Sequence, residues 1–294
     1  MYTTLTFYLA FGALAGVASG LFGIGGGAII VPFLVWLFPG QGVPESILMI
    51  MAVATSLATI MVTSVASVRA HHRRGAVVWP LVWRLVPGIA LGTVAGSIVA
   101  DHLPTRQFEQ LFAVFLMLVA VQVYWGRREE TAGGKPVPPG VMTGGGIMIG
   151  LLSALFGIGG GSITVPFLLR CRQNIRHAVA VSSACGFPIA VVGTLSYVVL
   201  GWGHPSLPAH SLGYIYWPAF LGIGAASVLT APYGAALAHR LPMRGLKRLF
   251  AAVLFLLGAR MLARSADPSW LGALNEGLET AAASAQRLKS FLGP

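Results

Sequence analysis

Acidic residues are scarce in this sequence. Only 8 of 294 residues are Asp or Glu, against 19 Lys plus Arg, and charged residues of both signs make up 9%. A soluble domain carries about 25%. A globule of this length cannot cover its surface with so few polar side chains. That excludes an ordinary soluble enzyme, a disordered chain and a nucleic-acid module. Cysteine is nearly absent too. Cys171 and Cys185 show neither CxxC spacing nor a metal-ligand pattern, so neither a disulfide framework nor a thiolate metal site is expected. They read as small apolar fillers, and no cofactor is expected. No positive n-region precedes the first apolar stretch, which runs far past h-region length. A cleaved signal peptide is therefore not expected.

What is present is apolar: 56% hydrophobic residues and 38 glycines. The natural solvent is lipid. Apolar stretches run over residues 2–38, 47–68, 77–100 and 108–125. A polar linker rich in charge and proline follows, and the pattern restarts over 141–169, 178–200, 215–238 and 246–262. The glycines recur at helical spacing inside these stretches, where close helix approach and broken helices use them. In the tail, Leu274, Leu278, Ala281, Ala285, Leu288 and Leu292 recur at helical spacing, as in an interfacial amphipathic helix.

The restart is a duplication. LFGIGGG occurs at 21–27 and again at 155–161, each time followed at the same offset by VPFL. Ala52-Val53-Ala54 and Ser56 match Ala178-Val179-Ala180 and Ser182, and Leu103-Pro104 matches Leu241-Pro242. The expected organisation is a first transmembrane repeat at 1–126, a cytoplasmic linker at 127–140, a second repeat at 141–264 and an amphipathic tail at 265–294.

Charge sets the expected topology. As one straight helix, the first stretch would be about 55 Å long against a hydrocarbon core of about 30 Å. The glycines and Pro32 sit where it should break. The second copy has too few residues for two crossings of about 20 each. Each glycine segment is therefore read as a re-entrant hairpin of two short helices, followed by three full spans. On that reading 14 of the 19 basic residues fall on one face, among them Arg69, Arg73, Arg74, Arg127, Arg170 and Arg240. With eight plain crossings the bias vanishes. The positive-inside rule favours the hairpins. Three spans per half is an odd number, so the halves are inverted and both termini lie outside the cytoplasm. The fold class expected is all-α: a polytopic membrane protein of two inverted repeats, each a glycine-broken re-entrant hairpin plus three transmembrane helices.

Such repeats with broken helices form a transporter architecture, with substrate near the midplane. Gly23, Gly25, Gly26 and Gly27, with Gly157, Gly159, Gly160 and Gly161, leave bare backbone that a ligand can approach. A turn entering a short helix presents free N–H groups and a positive dipole end, a combination that favours an anion. Close helix packing is the competing use of such glycines. No Gly-Lys-Ser/Thr ending and no preceding strand accompany them, which argues against a nucleotide loop. Hydroxyls on the following helices, Thr55, Ser56, Thr59 and Ser64 in one half and Ser182, Ser183 and Thr194 in the other, can donate to oxyanions or bond between helices. The candidate substrate-binding set is the eight glycines with Thr55, Ser56, Ser182 and Ser183.

Glu45, Asp101 and Glu109 lie at span edges, and Glu129 and Glu130 in the linker. A cation pump shows intramembrane acids. A membrane enzyme needs an acid pair, a metal cluster or a nucleophile with its base, and none is evident. Ser19 lies among glycines without a partner histidine and reads as packing. Arg84 reads as snorkelling to the interface, and His71 and His72 as interfacial.

The doubled LFGIGGG…VPFL, the stretch 54–59 and the Leu-Phe-Ala helix after each Leu-Pro resemble the TauE/SafE sulfite exporter family over about residues 5–263. The resemblance implies a bacterial inner-membrane protein exporting small sulfur oxyanions such as sulfite or organosulfonates. Residues 181–185 depart from the Thr-Ser-Leu pattern expected there. Expected partners are a small anion and the lipid bilayer; a homodimer is compatible, and nucleic acid is not expected. An anion channel or a non-transporting assembly factor is the alternative function.

Overall fold

A computed structural model describes residues 2–22, 26–125, 138–238 and 243–265. The first repeat contains α1 (Tyr2–Phe22), α2 (Gly27–Leu37), α3 (Leu48–Arg73), α4 (Trp79–His102) and α5 (Thr105–Trp125). The second contains α6 (Pro139–Phe156), α7 (Gly161–Arg170), α8 (Ile175–Leu200), α9 (Trp217–Ala238) and α10 (Met243–Ser265). Gly23 and Gly25, most of the linker and the tail from 266 onward lie outside the described residues.

Local chemistry explains the boundaries. Gly26 and Gly160 precede α2 and α7 with φ of 75° and 77°, a left-handed conformation that favours glycine. Pro80 and Pro139 stand in the first turns of α4 and α6, where a missing N–H costs nothing. Asn174 caps α8, its side-chain oxygen accepting from Arg176 N at 2.9 Å.

Among the described residues, four helical stretches are long and apolar enough to cross a membrane: Glu45–Arg73, Trp79–His102, Thr105–Trp125 and Ile175–Leu200. Their outer faces carry large apolar side chains such as Leu91, Leu118 and Val199, more than half exposed. Trp83, Trp125 and Trp202 are exposed near helix ends, as in an aromatic belt at a membrane interface.

Each glycine run separates two helices that fold back together. Tyr8 Oη donates to Gln41 Oε1 at 2.9 Å, so the chain leaves the first hairpin beside the start of α1. The Phe11 and Phe33 rings stack with centroids 3.6 Å apart. The equivalent pair in the second hairpin is Gly145 and Phe167, where the ring lies against bare glycine. The arms are unequal, a difference from the two short helices expected. α1 has 21 residues and α2 has 11, while α6 has 18 and α7 has 10. The long arms have a reason: α1 packs along α9, and α6 along α4, over most of their lengths.

Those two pairings are reciprocal between repeats, and both are parallel. Gly88, Gly92 and Gly96 of α4 meet the backbone of Thr143, Ile147 and Leu151 in α6. Gly12 and Gly16 of α1 meet Ile223 and Ser227 of α9. A Cβ at Gly92 would collide with the Ile147 carbonyl oxygen. Lipid tails are as apolar as the helices, so close packing of this kind replaces the hydrophobic drive.

The repeat equivalents α3 and α8 pair with each other, antiparallel: Leu57 lies against Gly193, while Ser64 and Ser182 line one cavity. The equivalents α5 and α10 are also antiparallel, with Gly258 against Ala113 and Arg248 near Tyr124. Among the described residues, the one element outside the all-α expectation is a hairpin of two-residue strands between α8 and α9. Ser211 pairs with Tyr216 and Leu212 with Ile215, and Gly213 at φ 54° makes the turn.

Candidate substrate-binding site

The two glycine turns meet at the centre of the fold. Gly27 packs against the Gly157 carbonyl oxygen, with no room for a Cβ. Ser56 Oγ donates to that same oxygen at 2.9 Å. Gly157, at φ 62°, ends α6, and its N–H bonds back to the Ala154 and Ser153 oxygens. The second turn then runs through Gly159 along the α8 face formed by Ser182, Gly186 and Ile189, where Gly186 sits tightly against the Gly159 oxygen.

Beside this contact lies a cavity of about 40 Å³, lined by Ser19, Ile60, Thr63, Ser64, Ser67, Gly159, Ser182, Ser183 and Gly186. Six of the nine are hydroxyl residues and none is charged. The cavity therefore offers donors without fixed charge. It extends along α3 toward the Arg73 end.

The helix starts add to it. The Gly26 oxygen accepts from Ile29 and Ile30 N–H, and the Gly160 oxygen from Ile163 and Thr164 N–H. The N–H groups of Gly27, Ala28, Gly161 and Ser162 precede any intrahelical acceptor. Neither N-cap glycine supplies a side-chain cap.

The structure sorts the sequence candidates. Gly159, Ser182 and Ser183 line the cavity. Ser182 Oγ is buried without a hydrogen-bond partner, whereas Ser183 donates to Val179 O at 3.0 Å. Ser56 is committed to Gly157. Thr55 is fully buried and turned away from the cavity, accepting from Tyr216 N at 3.1 Å. Gly26, Gly27, Gly157, Gly160 and Gly161 form the backbone of the turns. Gly23 and Gly25 lie outside the described residues.

Sequence reasoning missed several groups. Ser19, read as packing, lines the cavity. So do Thr63 and Ser67. Ser153, Ser162 and Thr164 are buried around the second turn with unpartnered hydroxyls. The signal was in the duplication. Residues 21–34 and 155–168 are identical except at two places, where Ala28 and Ile30 become Ser162 and Thr164. Both changes put a hydroxyl in place of an apolar side chain.

Toward the end of α8, Tyr197 Oη donates to Ala154 O at 3.0 Å within the second repeat. Tyr214 Oη ties the second repeat to the first by donating to Asp101 Oδ1 at 2.8 Å. No group of His, Cys, Asp and Glu able to hold a metal occurs among the described residues.

Comparison with known proteins places the chain among membrane transporters. A "probable membrane transporter protein" of Haemophilus influenzae is 41% identical over 89% of this chain and 99% of its own length. Similarly named proteins of Methanocaldococcus jannaschii and Bacillus subtilis are 25% and 24% identical, each over 85% of this chain and over 92% and 94% of their own lengths. These relatives are named as transporters, not enzymes. No solved structure matches the chain. The family described as "Sulfite exporter TauE/SafE" matches residues 8–261, from α1 to α10. With both glycine turns inside that match, the chain belongs to the TauE/SafE family of membrane transporters.

Proposed function

We propose that this chain exports a small anion, sulfite or an organosulfur oxyanion, across the bacterial inner membrane by alternating access around the glycine turns. The observation that carries the reading is the hydroxyl-lined, charge-free cavity at the second turn, beside two helix N-termini that no side chain caps. An oxyanion accepts from such groups; a cation would need the carboxylates or carbonyl cages that the lining lacks.

The antiparallel pairing of α3 with α8 and of α5 with α10 supports two repeats inverted in the bilayer. The hairpin that returns Gln41 beside Tyr8 supports a re-entrant first segment. With the basic loops cytoplasmic, the cavity faces the cytoplasm. The bonds from Ser56, Tyr197, Tyr214 and Tyr216 then close the outer side. The energetics suit export: with the interior negative, one negative charge moving outward gains about 2.3 kcal/mol per 100 mV. A uniporter needs no coupling ion.

The test is sulfite and organosulfonate efflux from proteoliposomes carrying the full chain, with Gly26→Leu and Gly160→Leu beside wild type. Saturable flux in wild type, lost in both variants, is expected. Flux that survives both substitutions, or conductance without saturation, overturns the reading.

A further inference from the structure

The two glycine turns share a sequence, and Gly26 and Gly160 share a left-handed backbone, but the two present different chemistry at one point. That point is the place a Cβ would occupy on the N-cap glycine, Gly26 or Gly160. A capping side chain starts from there and accepts from the first free N–H groups of the helix. At Gly160 the nearest polar atoms are hydroxyls: Thr164 Oγ1 at 3.1 Å and Ser153 Oγ at 3.7 Å. At Gly26 the neighbours are Ala15 O at 3.5 Å, Ile30 Cδ1 at 3.5 Å and Ser19 Cβ at 3.6 Å. Ser19 is the repeat equivalent of Ser153, so the chemical difference lies at Ile30 and Thr164: the Ile30 methyl offers an anion no donor, and the Thr164 hydroxyl does.

The Thr164 hydroxyl is free in an unusual way. A helical Thr or Ser commonly spends its hydroxyl on a carbonyl three or four residues back. Thr59, Ser183 and Thr230 do so here, bonding Thr55 O, Val179 O and Ala226 O. Thr164 and Ser153 are both fully buried and neither has a partner. An orphaned buried hydroxyl is costly. Two at one bare N-cap mark a place where an acceptor is missing.

We infer that the anion seat belongs to the second turn alone. One oxygen of a small oxyanion sits at the N-cap of α7, in the position of a capping oxygen, and accepts from Thr164 Oγ1, Ser153 Oγ and the first free N–H groups of α7. The first turn, where Ile30 stands in place of Thr164, lacks that donor and packs against the second turn through Gly27. The inference rests on the proposed anion transport and deepens it by locating the substrate. Ile189 Cδ1 lies 2.7 Å from the same point, so the seat is covered in this conformation. Ile189 is on α8 one turn beyond Gly186, which lines the open cavity. Rotation of that side chain joins the cavity to the seat.

The test is binding of sodium sulfite, thiosulfate, sulfate and phosphate to the purified full-length chain in nanodiscs, by calorimetry. Thr164→Val keeps the shape and deletes the donor, and Thr164→Ser restores it. Ile30→Val makes the corresponding change in the first turn. Expected results are affinity at least tenfold weaker in T164V, restored in T164S, and within twofold of wild type in I30V. Thermal unfolding of T164V at or above the wild-type temperature is also expected, because an orphan hydroxyl has been removed. Equal losses in T164V and I30V, or none in T164V, overturn the one-sided seat while anion transport stands. Wild-type protein that binds none of the four anions overturns both.

Discussion

Ser56 Oγ and the Gly157 carbonyl oxygen, 2.9 Å apart and 101 residues apart in sequence, join a helix of the first repeat to the glycine turn of the second. The repeat equivalent of Ser56 is Ser182, and it makes no such bond. One sequence position thus has a structural hydroxyl in one half and an unspent one in the other. Removing the first leaves a buried carbonyl without its partner, at a cost of about 1–3 kcal/mol. Removing the second costs the fold nothing and takes a donor from the cavity. Ser56→Ala is expected to lower the unfolding temperature. Ser182→Ala is expected to keep or raise it while reducing anion flux roughly tenfold, since a hydrogen bond to a charged group contributes about 1.5–3 kcal/mol. Paired thermal-unfolding and flux measurements check this.

The glycines of α4 and α6 separate packing from permissiveness. Gly92 lies against the Ile147 backbone, which cannot step aside as a flexible side chain would. Gly144 has open space around its Cβ position. Gly92→Leu is expected to destabilise by about 1–3 kcal/mol or more through overpacking. Gly144→Ala is expected to stabilise by about 0.5–1 kcal/mol through helix propensity. Thermal unfolding in detergent reads both.

Much of the fold was legible because its signals are local. The apolar stretch at 178–200 became α8 at Ile175–Leu200, and Gly26, Gly157 and Gly160 took left-handed backbone, since length, hydropathy and a glycine's conformational freedom need no tertiary partner. The roles of Ser19, Thr55 and Ser56 were not legible. Whether a hydroxyl is spent depends on which carbonyl or N–H a distant segment brings to it. Thr55 receives Tyr216 N from a hairpin 161 residues away, and no spacing within α3 announces that. The unequal arms escaped for the same reason: α1 is long because α9 lies along it.

Topology is open to direct labelling. In a chain with Cys171 and Cys185 replaced, single cysteines at Gly40 and Ala209 are expected to react with an impermeant maleimide from outside the cell. Cysteines at Arg74 and Arg170 are expected to react only after permeabilisation. All four positions are exposed, so silence at any of them reflects side and not burial. Equal outside reactivity of Arg74→Cys and Gly40→Cys would reverse the assignment of the basic loops.

The closure proposed for the outer side includes a pair that can be dissected. Tyr214 lies outside the spanning helices, and burial, followed by its bond to Asp101, holds its phenol above the usual tyrosine range. A raised folded value stabilises the protein below the unfolded tyrosine value, and the effect is lost as pH rises through the folded one. Thermal stability is therefore expected to show no loss from this group between pH 6 and 9, and to fall more steeply above about pH 10 in wild type than in Tyr214→Phe, which has no phenol to ionise. Because the phenol donates to Asp101 Oδ1, Tyr214→Phe and Asp101→Asn should disturb one interaction. Their double variant is expected to resemble either single variant in stability and in outside accessibility of a cysteine placed in the cavity at Ser67. Independent, additive effects in that cycle would show that the two residues act separately and that the closure is held elsewhere.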